Sequence, residues 1–155
     1  MTTADLTRRS ALAGIAGAAL VPVLAGKSVR AEEAGLAADA IKALAKGTAV
    51  KPGRVSIVMP ELAENGNTVA MTVTVESPMT PADHVRAIHI IADKNPIARV
   101  VSFHIGPRAG RAKVAANIRL ATTQVVTALA EMNDGQFYSG SQEVIVTLAA
   151  CLDPG

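Results

Sequence analysis

Aromatic residues are nearly missing from this sequence: two Phe, one Tyr and no Trp among 155 residues. That excludes a platform of rings for stacking bases. Charge is also sparse, 18% of residues with a formal net charge of +2, which argues against both a strongly basic nucleic-acid binder and an acidic disordered tail. Cysteine occurs once, as Cys151, so neither an internal disulfide nor a cysteine-rich metal site can form. What remains is an aliphatic chain, 50% hydrophobic, built from Ala, Val, Ile and Leu and long enough for one domain of about 100–150 residues.

Residues 1–31 follow the pattern of an export signal. Arg8 and Arg9 form a basic start, Ala11 to Ala25 is an apolar stretch of small residues, and Val29-Arg30-Ala31 offers a small-residue cleavage site before Glu32. The apolar stretch is shorter than the roughly 20 residues that a membrane-spanning helix needs. The paired arginines in Thr-Arg-Arg-Ser-Ala-Leu resemble a twin-arginine signal, as do the weak Ala/Gly hydrophobicity and the basic Lys27 and Arg30. A general secretory signal is the alternative; a helix kept in the mature chain suits Gly14, Gly17 and Pro22 poorly. Cleavage after Ala31 removes four of the 15 basic residues and one of the 13 acidic ones, so the mature part carries a net charge of −1. The basic excess belongs to the leader, and with it goes any support for a nucleic-acid or membrane-surface partner. The expected location is the periplasm, an oxidising compartment where an unpaired exposed thiol is oxidised or coupled unless it has a use.

After the leader, Leu36, Ala40, Ile41 and Leu44 share one helical face, and Gly47 ends a short helix. From Arg54 onward the period becomes two. Val69, Met71, Val73 and Val75 alternate with Ala70, Thr72, Thr74 and Glu76, and Val114, Ala116, Ile118 and Leu120 alternate with Lys113, Ala115, Asn117 and Arg119. Further strands are expected at 54–59, 85–91, 97–105, 123–131 and 142–148, with turns at Asn65-Gly66, Ser77-Pro78, Asn95-Pro96, Pro107 to Gly110 and Asp134-Gly135. About seven antiparallel strands argue for an all-β, immunoglobulin-like sandwich with a short N-terminal helix, forming one domain over residues 32–148.

Motifs of common catalytic folds are missing: no Gly-x-Ser-x-Gly elbow, phosphate-binding Gly-rich loop or dinucleotide fingerprint occurs. Ser139-Gly140-Ser141 and Gly106 to Gly110 read as loops, and Met59, Met71, Met79 and Met132 as core filling. His84 falls in a polar turn and is expected to be solvated. His89 and His104 fall in strands, where imidazoles bond to neighbours, and a metal site would require both to converge with a carboxylate on one face. Spacing alone does not require that, so no metal, cofactor or catalytic residue is assigned. Cys151 stands apart. It follows the apolar run Glu143 to Leu148 close to the chain's end, where thiols are reachable by other proteins; a small apolar residue tucked under the sandwich is the alternative reading.

Several blocks resemble SoxY, the sulfur-carrier subunit of the thiosulfate-oxidising Sox system. They are Pro60-Glu61-Leu62-Ala63-Glu64-Asn65-Gly66-Asn67-Thr68-Val69, Val73 to Thr80, Val85 to Ile90, Asn95-Pro96, Val100 to His104, Ile118 to Ala121 and Leu129 to Gly135. The resemblance covers nearly the whole mature chain in order. It implies an immunoglobulin-like sandwich paired with a SoxZ-like subunit, a carrier rather than an enzyme, holding sulfur intermediates on a cysteine in a C-terminal Gly-Gly-Cys-Gly-Gly arm. It further implies that SoxAX loads thiosulfate onto that thiol, that SoxB releases sulfate from it, and that in some organisms a sulfur dehydrogenase oxidises the remaining sulfur.

Residues 149–155 are the corresponding arm, with Cys151 in the place of the family cysteine. Its surroundings depart from the pattern: Ala149 and Ala150 replace the preceding glycines, and Leu152-Asp153-Pro154-Gly155 replace the following ones. The alanines narrow φ/ψ space, Leu152 adds bulk beside the sulfur, and Pro154 fixes φ. Asp153 opposes ionisation of the thiol and the approach of an anion, but a screened charge at about 6–8 Å is worth less than 1 kcal/mol, so stiffness and bulk matter more. Two readings stand: a sulfur carrier using Cys151, and an interaction subunit that keeps the sandwich but has lost carriage.

Overall fold

The structure is a computed structural model that describes residues 29–149, with side chains described from Gly35. The elements, in chain order, are α1 (Val29–Ala45), β1 (Val50–Pro52), β2 (Val55–Val58), β3 (Leu62–Asn65), β4 (Val69–Val75), β5 (Val85–Ala92), β6 (Arg99–His104), β7 (Ala112–Ile118), β8 (Gln124–Met132) and β9 (Phe137–Leu148). One turn of 3-10 helix, Pro107–Ala109, interrupts the loop before β7. Among the described residues no helix is long and apolar enough to cross a membrane.

Two sheets form a sandwich. The larger has the order β1-β9-β8-β5-β6, with β3 also pairing β9, and the smaller has the order β2-β4-β7. Alternation does the work in the small sheet: Val69, Met71, Val73 and Val75 of β4 are buried while Ala70 and Thr74 are exposed. Ile88, Ile90, Val126, Ala128, Ala130 and Val144 meet them from the large sheet and complete the core. Met59, Met71, Met79 and Met132 are all buried in that core. The all-β sandwich with its N-terminal helix is thus as expected, with two differences in detail. Among the described residues there are nine strands, and β1 and β3 pair with β9 in parallel.

Those two short strands belong to a segment that changes sheets. β1 pairs with the start of β9, Val50 opposite Phe137; the chain then bends at Gly53 (φ 97°) and Arg54 (φ 58°), crosses to the small sheet as β2, and returns as β3 beside the end of β9. The crossover passes over Gly140. A Cβ on that residue would stand far inside contact distance of the Val55 carbonyl oxygen, so only glycine fits. Ser139-Gly140-Ser141, expected as a loop, therefore lies within β9, which begins five residues before the strand expected at 142–148.

Helix α1 covers the outer face of the large sheet. Ala37 and Ala45 are buried against Ile91, Ala98, Leu129 and Phe137, with Ala40, Ile41 and Leu44 partly buried around them. The seat is made largely by alanines, which let helix and sheet approach closely; Leu36, expected on that face, is 48% exposed. Lys46 (φ 49°) and Gly47 (φ 85°) turn the chain out of the helix, and the Thr48 N–H donates to the Ala45 carbonyl. With both faces covered, β5 is buried along nearly its whole length.

Candidate functional site

Of the residues singled out by sequence, Arg8, Arg9, Ala150, Cys151, Leu152 and Asp153 lie outside the described residues, as does nearly all of the segment 1–31. Ala149 is described: it follows β9 and is exposed. What can be built from the residues upward is the root of the arm.

The pairing of β9 with β8 ends at Gln124 opposite Val144. Beyond it, β9 is held by other groups. On one side, β3 runs parallel to it, with Leu62 opposite Ile145, Ala63 opposite Val146 and Asn65 opposite Leu148. The Ile145 N–H donates to the Glu61 carbonyl at 2.8 Å, and the Thr147 hydroxyl donates to the Glu64 carbonyl at 3.0 Å. On the other side, the Thr123 hydroxyl takes the place of the missing strand and accepts the Val146 N–H at 2.9 Å. Leu148 is the last link: its carbonyl accepts the Gly66 N–H at 2.9 Å.

That link is backed by a relay of hydrogen bonds. The Gly66 carbonyl accepts the Leu120 N–H at 2.8 Å. The segment around Leu120 is fixed by Asn95, whose Nδ2 donates to the Arg119 carbonyl and whose Oδ1 accepts the Ala121 N–H, both at 2.9 Å. Gln124, 2% exposed, donates from Nε2 to Asn95 Oδ1 at 2.9 Å and accepts the Lys94 N–H at 2.8 Å. Among the described residues no buried side-chain nitrogen or oxygen is left without a partner. A satisfied buried network of this kind fixes a loop in one position. Gln142 pins β3 from upstream, with Oε1 accepting the Met59 N–H at 3.1 Å and Nε2 donating to the Met59 carbonyl at 2.8 Å.

The surface at the root is apolar and acidic. Leu62 (53% exposed), Ile145 (50%) and Leu148 (67%) stand out on the two strands that hold the arm, and Glu61, Glu64 and Glu143 are exposed beside them. From Pro60 to Gly66 and from Phe137 to Ala149 the sequence has no Lys, Arg or His.

Two of the three histidines form a second cluster. His89 and His104 do converge with a carboxylate: their rings meet edge-on with centroids 6.3 Å apart, and Glu131 Oε2 is 3.8 Å from His89 Nε2. Hairpin pairing through the Asn95-Pro96 turn puts Ala87 opposite His104 and His89 opposite Ser102, a register that residue spacing alone does not reveal. His89 Nδ1 lies 2.8 Å from the Ser102 hydroxyl, and Arg86 pairs with Glu131 at 3.4 Å. Burial pushes the His89 pKa down, outweighing the opposing pull of Glu131, while His104 and Arg99 push it the same way as burial. The neutral imidazole is therefore the favoured form. Among the described residues no group of three or more His, Cys, Asp or Glu has the geometry to hold a metal ion. His84, expected to be solvated, is half-buried, its Nδ1 3.0 Å from the Thr80 carbonyl.

Comparison with protein families matches residues 41–151 to the model described as sulfur oxidation protein SoxY. The chain belongs to the SoxY family. The match runs from within α1 through the whole sandwich and ends on Cys151, so it includes Ala149 and Ala150 but not the last four residues. Among solved structures, the sulfur carrier protein SoxY from Chlorobium limicola f thiosulfatophilum superposes with a TM-score of 0.63 at 29% identity, over 74% of this chain and 99% of that one. A superoxide reductase (neelaredoxin) from Ignicoccus hospitalis reaches 0.54 at 19% identity, over 70% and 86% of the two chains. A putative superoxide reductase from Thermotoga maritima reaches 0.54 at 22%, over 63% and 93%. At such identities the likeness to the reductases shows the fold alone. No match was found among curated proteins.

Proposed function

We propose that this SoxY-family chain is a periplasmic sulfur carrier in thiosulfate oxidation, exported by the twin-arginine route, with Cys151 as the point of covalent attachment. The observation that carries the reading is that family likeness extends through the sandwich and ends on that cysteine. The likeness to a solved sulfur carrier over 74% of the chain supports it.

The chain's own part in the chemistry is to present a thiol. The thiolate of Cys151 and the outer sulfur of thiosulfate form one S–S bond, and the two electrons released pass to SoxAX. Water then takes the terminal sulfone as sulfate under SoxB, releasing two protons and leaving a persulfide anion on Cys151, which a sulfur dehydrogenase oxidises where one is present. A SoxZ-like subunit completes the carrier. No step requires a cofactor held by this chain, which fits a carrier rather than a catalyst.

The arm's Ala-Ala-Cys-Leu-Asp-Pro-Gly favours a second reading, a SoxY-family interaction subunit that assembles with its partner without carrying sulfur. Intact-mass measurement of the mature protein after incubation with thiosulfate and SoxAX separates the two. Carriage predicts a thiosulfonate adduct that disappears in Cys151→Ser. Its absence from the native chain leaves the interaction subunit.

A further inference from the structure

The clamp at Leu148 limits where the thiol can go. Only Ala149 and Ala150 lie between it and Cys151, and an extended chain spans at most about 3.6 Å per residue step, so the Cys151 Cα stays within roughly 11 Å of the Leu148 Cα. A carrier with a long tether can enter an enzyme while its body stays clear. This one cannot: a tunnel that receives Cys151 must open against the sandwich surface around the root.

That surface has a definite chemistry. Six large hydrophobic residues are well exposed among the described residues, and Leu62, Ile145 and Leu148 fall on the two strands that hold the arm. Leu62 and Ile145 are register partners across β3 and β9, so they form one patch rather than two isolated side chains. Glu61 precedes Leu62, Glu64 is two residues further along β3, and Glu143 is two residues before Ile145 on β9, each on the exposed side. Arg119, next to Leu120 in the loop that holds Gly66, is exposed.

We propose that Leu62 and Ile145, rimmed by Glu61, Glu64 and Glu143 on the same exposed side, form the docking collar on which an enzyme acting on the Cys151 cargo seats itself, and that the mouth of that enzyme's tunnel has an apolar lip ringed by Lys and Arg. The inference rests on the carriage reading and extends it to the partner. An apolar centre supplies contact area, while opposite charge at the rim raises the rate of encounter and fades with salt. The collar also aligns the short arm with the tunnel.

The test uses the assembled carrier and SoxAX as the probe, with two readouts. The first is steady-state loading of Cys151 with thiosulfate, followed by intact mass. The second is direct binding of SoxAX to the Cys151→Ser carrier, which needs no chemistry. Glu61→Lys with Glu64→Lys, and separately Leu62→Ser with Ile145→Ser, should each raise the KM for the carrier and weaken binding about tenfold or more. kcat should change less than twofold, as should the alkylation rate of Cys151 by iodoacetamide. Charge reversal at Glu76, beyond the far end of β4, serves as the control, and thermal melting checks that each variant folds. Added salt should weaken binding of the native carrier and strengthen that of the Glu-to-Lys variant. Unchanged binding in the collar variants overturns the proposal. So does a variant that loses its subunit partner on size exclusion while the complexes that remain bind SoxAX normally, because the patch then serves assembly. A native carrier that binds SoxAX through the collar but gains no adduct refutes carriage and leaves the docking surface standing.

Discussion

Gly140 carries more of the fold than its place between two serines suggests. β2 crosses β9 there on its way from one sheet to the other, and the Val55 carbonyl occupies the space that a side chain would need. Gly140→Ala must push β2 outward or bend β9. Overpacking of this kind costs about 1–3 kcal/mol, and for a domain of this size about 2 kcal/mol lowers Tm by roughly 8 °C. Calorimetry or thermal circular dichroism reads it directly, and a change under 2 °C would mean that β2 does not lie over Gly140. His89 makes a separate prediction. Because burial holds its folded-state pKa below that of the unfolded chain, the stability it supports is present above the unfolded value near 6.5 and is lost as pH falls toward the folded value. Stability should therefore decline as pH falls below about 6.5, with a slope of at most about 1.4 kcal/mol per pH unit from this one proton. His89→Gln should flatten that decline in urea titrations at several pH values. An equally steep decline in the variant would locate the proton elsewhere.

At the scale of elements, what was legible in the sequence followed from local periodicity. β4 and β7 could be read because their apolar residues alternate over seven positions, and β5 and β8 because their aliphatic runs are bounded by turn residues. β1 and β3 could not. Val50-Lys51-Pro52 and Leu62 to Asn65 are too short to show a period, and what makes them strands is a free edge of β9, which only the folded chain supplies. The first residues of β9 were missed for a related reason. Ser139, Gly140 and Ser141 carry turn chemistry, but the close passage of β2 demands a small residue just there. The same limit applies to the site. Cys151 could be singled out because it is the only cysteine and because of the family likeness. That its arm is clamped at Leu148 could not, because the clamp joins Thr123, Glu61, Glu64 and Gly66, residues far apart in the chain and individually unremarkable. The convergence of His89, His104 and Glu131 was hidden in the same way, in the register of a hairpin.

For the whole molecule, the body is a rigid support and the reach of the thiol depends on very few bonds. The relay from Gln124 through Asn95, Leu120 and Gly66 fixes Leu148 to the sandwich, so on the carriage reading proposed above Ala149 and Ala150, the two residues between Leu148 and Cys151, set the reach of the thiol. The family pattern has glycine at both positions. Glycine there admits the left-handed region and a narrower profile, whereas alanine in that region costs about 1–2 kcal/mol. If the tunnel of the loading enzyme is shaped for the glycine form, replacing Ala149 and Ala150 with glycine removes that cost at whichever position needs a positive φ. The double variant Ala149→Gly, Ala150→Gly should then raise kcat/KM for loading by SoxAX about tenfold. Tm should stay within 1 °C of the native value, since Ala149 is exposed and the last hydrogen-bonded group of the clamp is the Leu148 carbonyl. Rapid-quench loading followed by mass measurement gives the rate, and the sign of the change decides the matter. A several-fold fall would show that the arm enters the enzyme extended and that the alanines help by lowering the entropy lost on ordering, so that this chain is matched to a tunnel of its own rather than impaired at the family's.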